Sequence, residues 1–334
     1  MCFYEMHDGK MIYALTQHSQ WSRKVHPFLL CACQRGKGVT DPNHECKIIT
    51  HSEQVTLFER SKRRLERQLE KQITEPKLKY DEDDHRDWCD VNNSGITHYG
   101  FHPDVLPRDN IRFDIFHLRS AITKLLMQYL RQYIEKQSHE LIQDYTKLAL
   151  TFWGDYHVSV WRLNKQFSSF NGNEIVQFIR NIPKLVNFLR DKCLPNPDLD
   201  SICKGLLAWE KITPFLNIVE YESDAHYALS IAEYKVNVQA FYAAGKKSYL
   251  QPKDIEGDGE TFYCHTLRFY MLKFAKQTWD KHRLGLGIYT MQGFERRNKE
   301  SKNTFRRFTN KKGNCILSNL KRLWDLFYYE HVGV

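Results

Sequence analysis

The chain has 334 residues, 42% of them hydrophobic and 13% aromatic, with 49 Lys and Arg against 40 Asp and Glu for a net charge of +9. That content is ample for a core and excludes wholesale disorder, while no apolar run approaches the ~20 residues that span a bilayer, so no membrane is expected among its partners. The basic balance favours a polyanionic partner without demanding one.

The nine cysteines are odd in number and spread from Cys2 to Cys315. Reduced thiols in an intracellular compartment fit that distribution better than a disulfide scaffold. Charged and polar residues interrupt Cys2 to Ala14, which leaves no signal-peptide core there.

Residues 1–35 read as mixed structure, with a helix start at Met11 to Leu15 and a short apolar run at Phe28 to Cys33. Residues 36–50 read as loop, with Gly36, Gly38, Pro42 and Asn43. Over 52–75, Leu65, Leu69 and Ile73 recur every four residues in a highly charged helix that Pro76 stops. The acidic, turn-rich stretch from Lys79 to Gly95 reads as a surface loop. From Asp114 the chain becomes mostly helical. Residues 116–150 contain neither Gly nor Pro and carry Leu125, Leu126, Tyr129, Leu130 and Tyr133 at helical spacing. Asn171 and Gly172 break the chain before a helix near 173–192. Cys193 to Asp200 reads as a loop with an Asp cap before the next helix, and further helices are expected over 223–246 and 260–282. The Gly-flanked stretch Gly285 to Gly293 suggests a short strand. Two last helices, 295–309 and 314–330, hinge at Lys312-Gly313-Asn314. There is no internal repeat and no low-complexity tract.

The segment GFERRNKESKNTFRRF, Gly293 to Phe308, is the most distinctive. At about 100° per residue, Phe294, Phe305 and Phe308 share one side of a helix. Glu300 lies off that stripe, one turn from Arg296 and Thr304. Lys299, Asn303, Arg306 and Arg307 spread over the remaining surface, and Lys311, Lys312, Lys321 and Arg322 continue the basic trend. Two readings of the spacing stay open. One is a solvated helix whose Glu295–Lys299 and Arg296–Glu300 pairs are worth only ~0.3–0.5 kcal/mol each. The other is a DNA-facing surface, where Lys and Arg meet backbone phosphates and Asn303 adds a hydrogen bond.

His265 to Phe308 resembles the C-terminal catalytic segment of the V(D)J recombination-activating recombinase and its Transib-type transposase relatives. Glu300, Ser301, Asn303 and Phe305-Arg306-Arg307-Phe308 fit the family's Glu and its FRRF run, with a one-residue offset. The likeness continues upstream in the same order. MHDGKMIYAL, Met6 to Leu15, resembles the segment of the second catalytic Asp, matched by Asp8. CACQ, Cys31 to Gln34, resembles the zinc-binding Cys pair, and IITHSEQVTLFE, Ile48 to Glu59, a His-containing helix after it. FDIFHLRSA, Phe113 to Ala121, resembles a D-x-x-H segment near the active site, which falls on Asp114 and His117. LNKQFSSFNGNEI, Leu163 to Ile175, resembles a helical connection in the insertion domain.

The resemblance implies a predominantly α chain with a small α/β part: a partial RNase H-like core interrupted by a large helical insertion. It implies three regions. Residues 1–35 would be partial core with the second Asp, 36–284 a helical insertion with the zinc site, and 285–334 the catalytic helix region with its basic face. The implied activity is DNA strand cleavage and transesterification in a nuclear or intracellular protein that works as a homodimer when complete. Two Mg²⁺ (or Mn²⁺) ions about 3.5–4 Å apart serve such chemistry between carboxylates. Asp8 and Glu300 would be ligands, with His117, Arg296, Lys299, Asn303, Arg306, Arg307, Lys311 and Lys312 facing DNA. The family's first catalytic Asp should precede Asp8 by more than the seven residues before it, so an incomplete carboxylate set is expected, with Asp114 as a lesser substitute. The implied zinc set is Cys31, Cys33, His265 and Cys264. It departs from the family in its Cys-x-Cys spacing and in Tyr270, which stands five beyond His265 where a second His is expected. Without the resemblance, Asp8 reads equally as a turn residue, His117 as a structural histidine and the cysteines as small buried hydrophobes. A non-enzymatic DNA-binding helical protein derived from a transposable element is the alternative function, and a helical module that binds protein a third.

Overall fold

The computed structural model describes residues 5–7, 31, 44–46, 48–56, 58–59, 63, 104, 111–153, 172–246, 248–250 and 261–290. The chain divides into two compact units, Met1–Tyr289 and Thr290–Val334, and the described helices and strands all belong to the first. The described residues are predominantly helical. Their sheet is one parallel pair, β1 (Glu5–His7) beside β2 (Ile111–Phe113), with Glu5 opposite Ile111 and His7 opposite Phe113. Of the expected helix over 52–75, the described residues 51–56, 58–59 and 63 are helical. The expected helix start at 11–15, the acidic loop at 79–95 and the final helices fall outside the described residues.

Helix α1 (Ile115–Glu135) follows β2 directly, because Asp114 caps it: its carboxylate accepts the Phe116 and His117 amide protons at 3.0 and 3.3 Å. Leu118, Ile122, Leu126, Leu130 and Ile134 recur every fourth residue and are all buried, which makes the apolar stripe of a core-facing helix. The helical run expected over 116–150 is two helices. Lys136 and Gln137 donate to carbonyls three residues back, tightening the last turn. Ser138 Oγ then accepts from Leu141 N at 3.2 Å and opens α2 (His139–Trp153). Serine binds backbone better at a helix start than inside a helix, and neither Gly nor Pro was needed for the break.

The stretch expected as one helix over 173–192 is likewise α3 (Gly172–Arg180) and α4 (Ile182–Lys192), joined at Asn181. Pro183 lies in the first turn of α4, where a missing N–H costs nothing. Helix α5 (Pro197–Asn217) is capped by Asn196, whose side chain accepts from Leu199 N at 2.9 Å. The cap is therefore not an Asp; Asp198 and Asp200 occupy the first turn, where the helix dipole favours their charge. Helix α6 (Asp224–Gly245), capped by Ser223, packs along α5. Trp209 on α5 is wholly buried, touches Phe241 of α6 and donates from Nε1 to Thr123 Oγ1 of α1 at 3.1 Å. One side chain thus ties three helices.

The expected helix over 260–282 is α7 (Phe262–His265), a π-helical turn (Thr266–Tyr270) and α8 (Met271–His282), run together. Arg283 ends it at φ 58. The described part of the stretch after it, up to Thr290, holds no strand: Leu284 makes an isolated antiparallel bridge to Glu220, and Leu286–Tyr289 is a 3-10 turn, while residues 291–293 lie outside the described residues. Gly285 and Gly287 donate to Val219 O and Ile218 O, each at 2.7 Å. A Cβ on Gly285 would stand 2.3 Å from Ile218 O, and one on Gly287 2.5 Å from Asn217 O. Two backbones touch here, and only glycine permits that approach.

Candidate metal centre

Ile48 forms an isolated antiparallel bridge with Cys31. Cys46 lies two residues before that bridge, and its sulfur reaches the start of the α7–α8 helix. His265 Nε2 is 3.3 Å from Cys31 Sγ and 3.8 Å from Cys46 Sγ. The three ligand atoms lie within 4.8 Å of one another. Cys31 and His265 are buried, Cys46 half-buried, and neither cysteine is in a disulfide. Around one tetrahedral ion, a thiolate at about 2.3 Å and an imidazole at about 2.0 Å stand roughly 3.5 Å apart. The two measured separations fall either side of that edge, so this group can hold a metal ion as it stands.

The π-turn supplies a fourth side chain. Met271 N bonds Thr266 O, five residues back, and that wider turn brings Tyr270 alongside His265 with ring centroids 5.2 Å apart. Tyr270 OH donates to Cys31 Sγ at 3.1 Å. A phenol donating to a thiolate offsets part of its charge and fixes its direction, as an outer-shell partner of a metal site does. Phe269 also lies against His265, 4.6 Å between centroids.

Of the implied zinc ligands, Cys31 and His265 meet. Cys264 does not join them: it is buried beside Thr261, whose hydroxyl donates to Cys264 Sγ at 3.2 Å and caps α7 through the Cys264 amide. The helix turns consecutive residues about 100° apart, so Cys264 and His265 cannot both face one ion from adjacent positions. Cys33 lies outside the described residues. Cys46 was not foreseen. Its one sequence signal is the short His44-Glu45-Cys46 run, and nothing local says that this run returns to Cys31.

A second polar group sits where β2 becomes α1. Asp114 is almost wholly buried, and beyond its two amide bonds it accepts from His117 Nδ1, while the His117 side chain remains 28% exposed. Both carboxylate oxygens are engaged in the cap and the histidine, so this acid serves structure. Parallel pairing puts the C-terminal ends of β1 and β2 at one edge. The residue that follows β1 in the chain is Asp8 and the one that follows β2 is Asp114. Asp8, Glu300, Arg296, Lys299, Asn303, Arg306, Arg307, Lys311 and Lys312 lie outside the described residues.

No protein-family profile matches the chain, and no curated protein matches it.

Arg119, one turn and a residue beyond Asp114, is buried and donates to Asn217 Oδ1 at 2.7 Å. Burial holds its guanidinium below the usual arginine value. Arg112 on β2 is also buried; it donates to Gln277 Oε1 at 2.9 Å and lies over the Phe274 ring. These two cations bind α1 and β2 to the segments around Asn217 and α8. Among the described residues, no helix is long and apolar enough to cross a membrane.

Proposed function

We propose that this chain is part of a DNA transposase or recombinase of the V(D)J-recombinase and Transib type, built around a structural zinc centre. The observation that carries this reading is the meeting of Cys31 and His265. They lie 234 residues apart, and their 3.3 Å contact joins two segments that the resemblance assigns to one zinc site. A chance likeness in short motifs has no reason to bring those two side chains together in a buried cluster. The parallel β1–β2 register adds support, since the segments that resemble the family's Asp-bearing strand and its D-x-x-H stretch are neighbours.

Zinc fits the donor set: two sulfurs and one imidazole are the ligands this borderline-soft ion takes in closed structural sites. Cys31 and Cys46 bind as thiolates and His265 through neutral Nε2, so binding releases protons and strengthens with pH over the range in which the thiols ionise. Bound there, Zn²⁺ supplies a cross-link between distant segments. Tyr270 then holds the Cys31 sulfur in place. The chain around residue 31 is thereby anchored to α7, which is useful to an enzyme whose core is interrupted by a long insertion.

On this reading Asp8 and Glu300 are the carboxylates that take Mg²⁺. Arg296, Lys299, Asn303, Arg306, Arg307, Lys311 and Lys312 grip backbone phosphates, and His117, held by Asp114, adds a partly exposed imidazole. The test is binding of the full, zinc-loaded chain to duplex DNA across a salt series, followed by incubation with Mg²⁺ or Mn²⁺. The binding constant should fall with salt at a log–log slope of about −0.9 per phosphate contacted. Nicked product that disappears in Asp8→Asn or Glu300→Gln supports the enzyme. Salt-sensitive binding without any nicking favours the element-derived, non-enzymatic DNA-binding protein, and absence of binding rejects both.

A further inference from the structure

The three-atom cluster leaves a tetrahedral ion one ligand short, and the residue two before Cys46 is a histidine. His44 Nε2 is sealed from solvent and has no hydrogen-bond partner among the described residues. A buried imidazole nitrogen without a partner is costly, and a metal ion is a partner it could take. His44 packs edge-on against Phe269, centroids 5.7 Å apart. His265 rests on that same Phe269 ring at 4.6 Å. Phe269 therefore has two imidazoles against it, those of His44 and His265. His44 and Cys46 are two apart in the chain, and both reach the same helix: one touches Phe269, the other His265.

We propose that His44 is the fourth ligand, completing a Cys31–His44–Cys46–His265 centre. His44-Glu45-Cys46 would then act as a chelating run, and the two ligands beyond Cys31 and His265 would come from it rather than from Cys33 or Tyr270. The inference rests on the metal-centre reading and deepens it. It requires one movement. His44 lies outside the Cys31–Cys46–His265 group as the structure stands, so its ring must turn towards the three ligand atoms, a change of rotamer that side chains make readily. The pairing accounts for both anomalies in the sequence: the compressed Cys-x-Cys, of which one member suffices, and the tyrosine that replaces a second downstream histidine and serves instead as a donor to the Cys31 sulfur.

The experiment is titration of the metal-stripped full chain with Co²⁺, which reports its own coordination through visible ligand-field bands and a thiolate-to-metal charge-transfer band. The wild type should bind one equivalent with the intense spectrum of a tetrahedral site carrying two thiolates. His44→Gln should weaken binding by at least the 10–100-fold that even outer-shell losses produce, taken as roughly that order, and lose the tetrahedral intensity. His44→Cys should keep a tetrahedral spectrum while its charge-transfer band grows by about half, as three thiolates replace two. Cys33→Ser should change neither. Helix content by circular dichroism of each metal-free variant separates loss of a ligand from loss of fold, and the gain of charge transfer in His44→Cys is a signal that misfolding cannot produce. A tetrahedral wild-type spectrum that survives His44→Gln, or that Cys33→Ser abolishes, overturns the assignment of His44 while leaving the metal centre intact. Failure of the wild type to bind Co²⁺ or Zn²⁺ at all overturns the centre itself, and the role of His44 with it.

Discussion

Replacing Asp114 by alanine removes the acceptor for two helix-end amides and for His117 Nδ1 at once. Loss of an N-cap alone costs about 0.5–2 kcal/mol. The amides and the imidazole N–H are then left half-buried without their acceptor, which adds at most about 1–3 kcal/mol. The two contributions overlap, so a net loss of about 2–4 kcal/mol is expected. With a urea m-value of about 3 kcal/mol/M, the unfolding midpoint drops by about 0.7–1.3 M. Asp114→Asn is the informative partner. Asparagine caps helices as well as aspartate does, so this variant keeps the amide bonds and weakens only the charge-assisted bond to His117. It should lose about 1 kcal/mol or less. Adding His117→Ala to each background closes a cycle whose coupling should fall in the ~0.5–3 kcal/mol range of residues in contact. Urea unfolding followed by far-UV circular dichroism reads all of these. An Asp114→Ala protein within about 0.5 kcal/mol of wild type, or an Asn variant as damaged as the Ala variant, refutes the capping account.

Three further perturbations test other parts of the structure. Gly285→Ala should cost about 2–4 kcal/mol, since its new methyl meets Ile218 O and pushes apart two backbones that share hydrogen bonds; a melting temperature unchanged from wild type would contradict that close approach. Trp209→Ala should cost about 3–5 kcal/mol through the cavity it leaves between α1, α5 and α6, and a Trp209→Phe protein should recover much of that while still lacking the bond to Thr123; equal stability of the two variants would argue against a filled core at this point. Burial raises the phenol pKa of Tyr145, Tyr234 and Tyr249 above the usual value. In the unfolded chain these groups ionise near pH 10, so their contribution to stability is complete below that pH and is lost as pH rises through the folded values. In an alkaline titration, their tyrosinate absorbance should appear in one step together with loss of helix signal, and a smooth titration of every tyrosine ahead of unfolding would refute their burial.

Local pattern alone carried the helical regions well. Ser223 before α6, the apolar stripe from Leu118 to Ile134 and the loop at Cys193 to Asn196 are all written in residues within a turn or two of each other, and the forces that act there, capping and burial of one face, are local. The same pattern underspecified the breaks. Ser138 and Asn181 divide two expected helices, since polar side chains that bind backbone do so more weakly, and less visibly in sequence, than Gly or Pro. The stretch Gly285 to Gly293 suggests a short strand, but in its described part Leu286–Tyr289 is a 3-10 turn and Gly285 and Gly287 answer to Asn217 and Ile218, a contact between segments that sequence spacing does not encode.

Two of the metal-centre residues, Cys31 and His265, were expected from the sequence, through the resemblance on which the proposed function rests. Cys46 and the orientation of Tyr270 were not. Cys46 reaches His265 across 219 residues through a return of the chain to Cys31, and Tyr270 reaches Cys31 because one turn of helix widens from α to π. Residue type and spacing therefore determined which side chains had the chemistry to bind a metal. Which of the thiols share a site depended on how distant segments pack, and the loop-closure entropy that opposes such meetings is overcome only by the burial of the whole core.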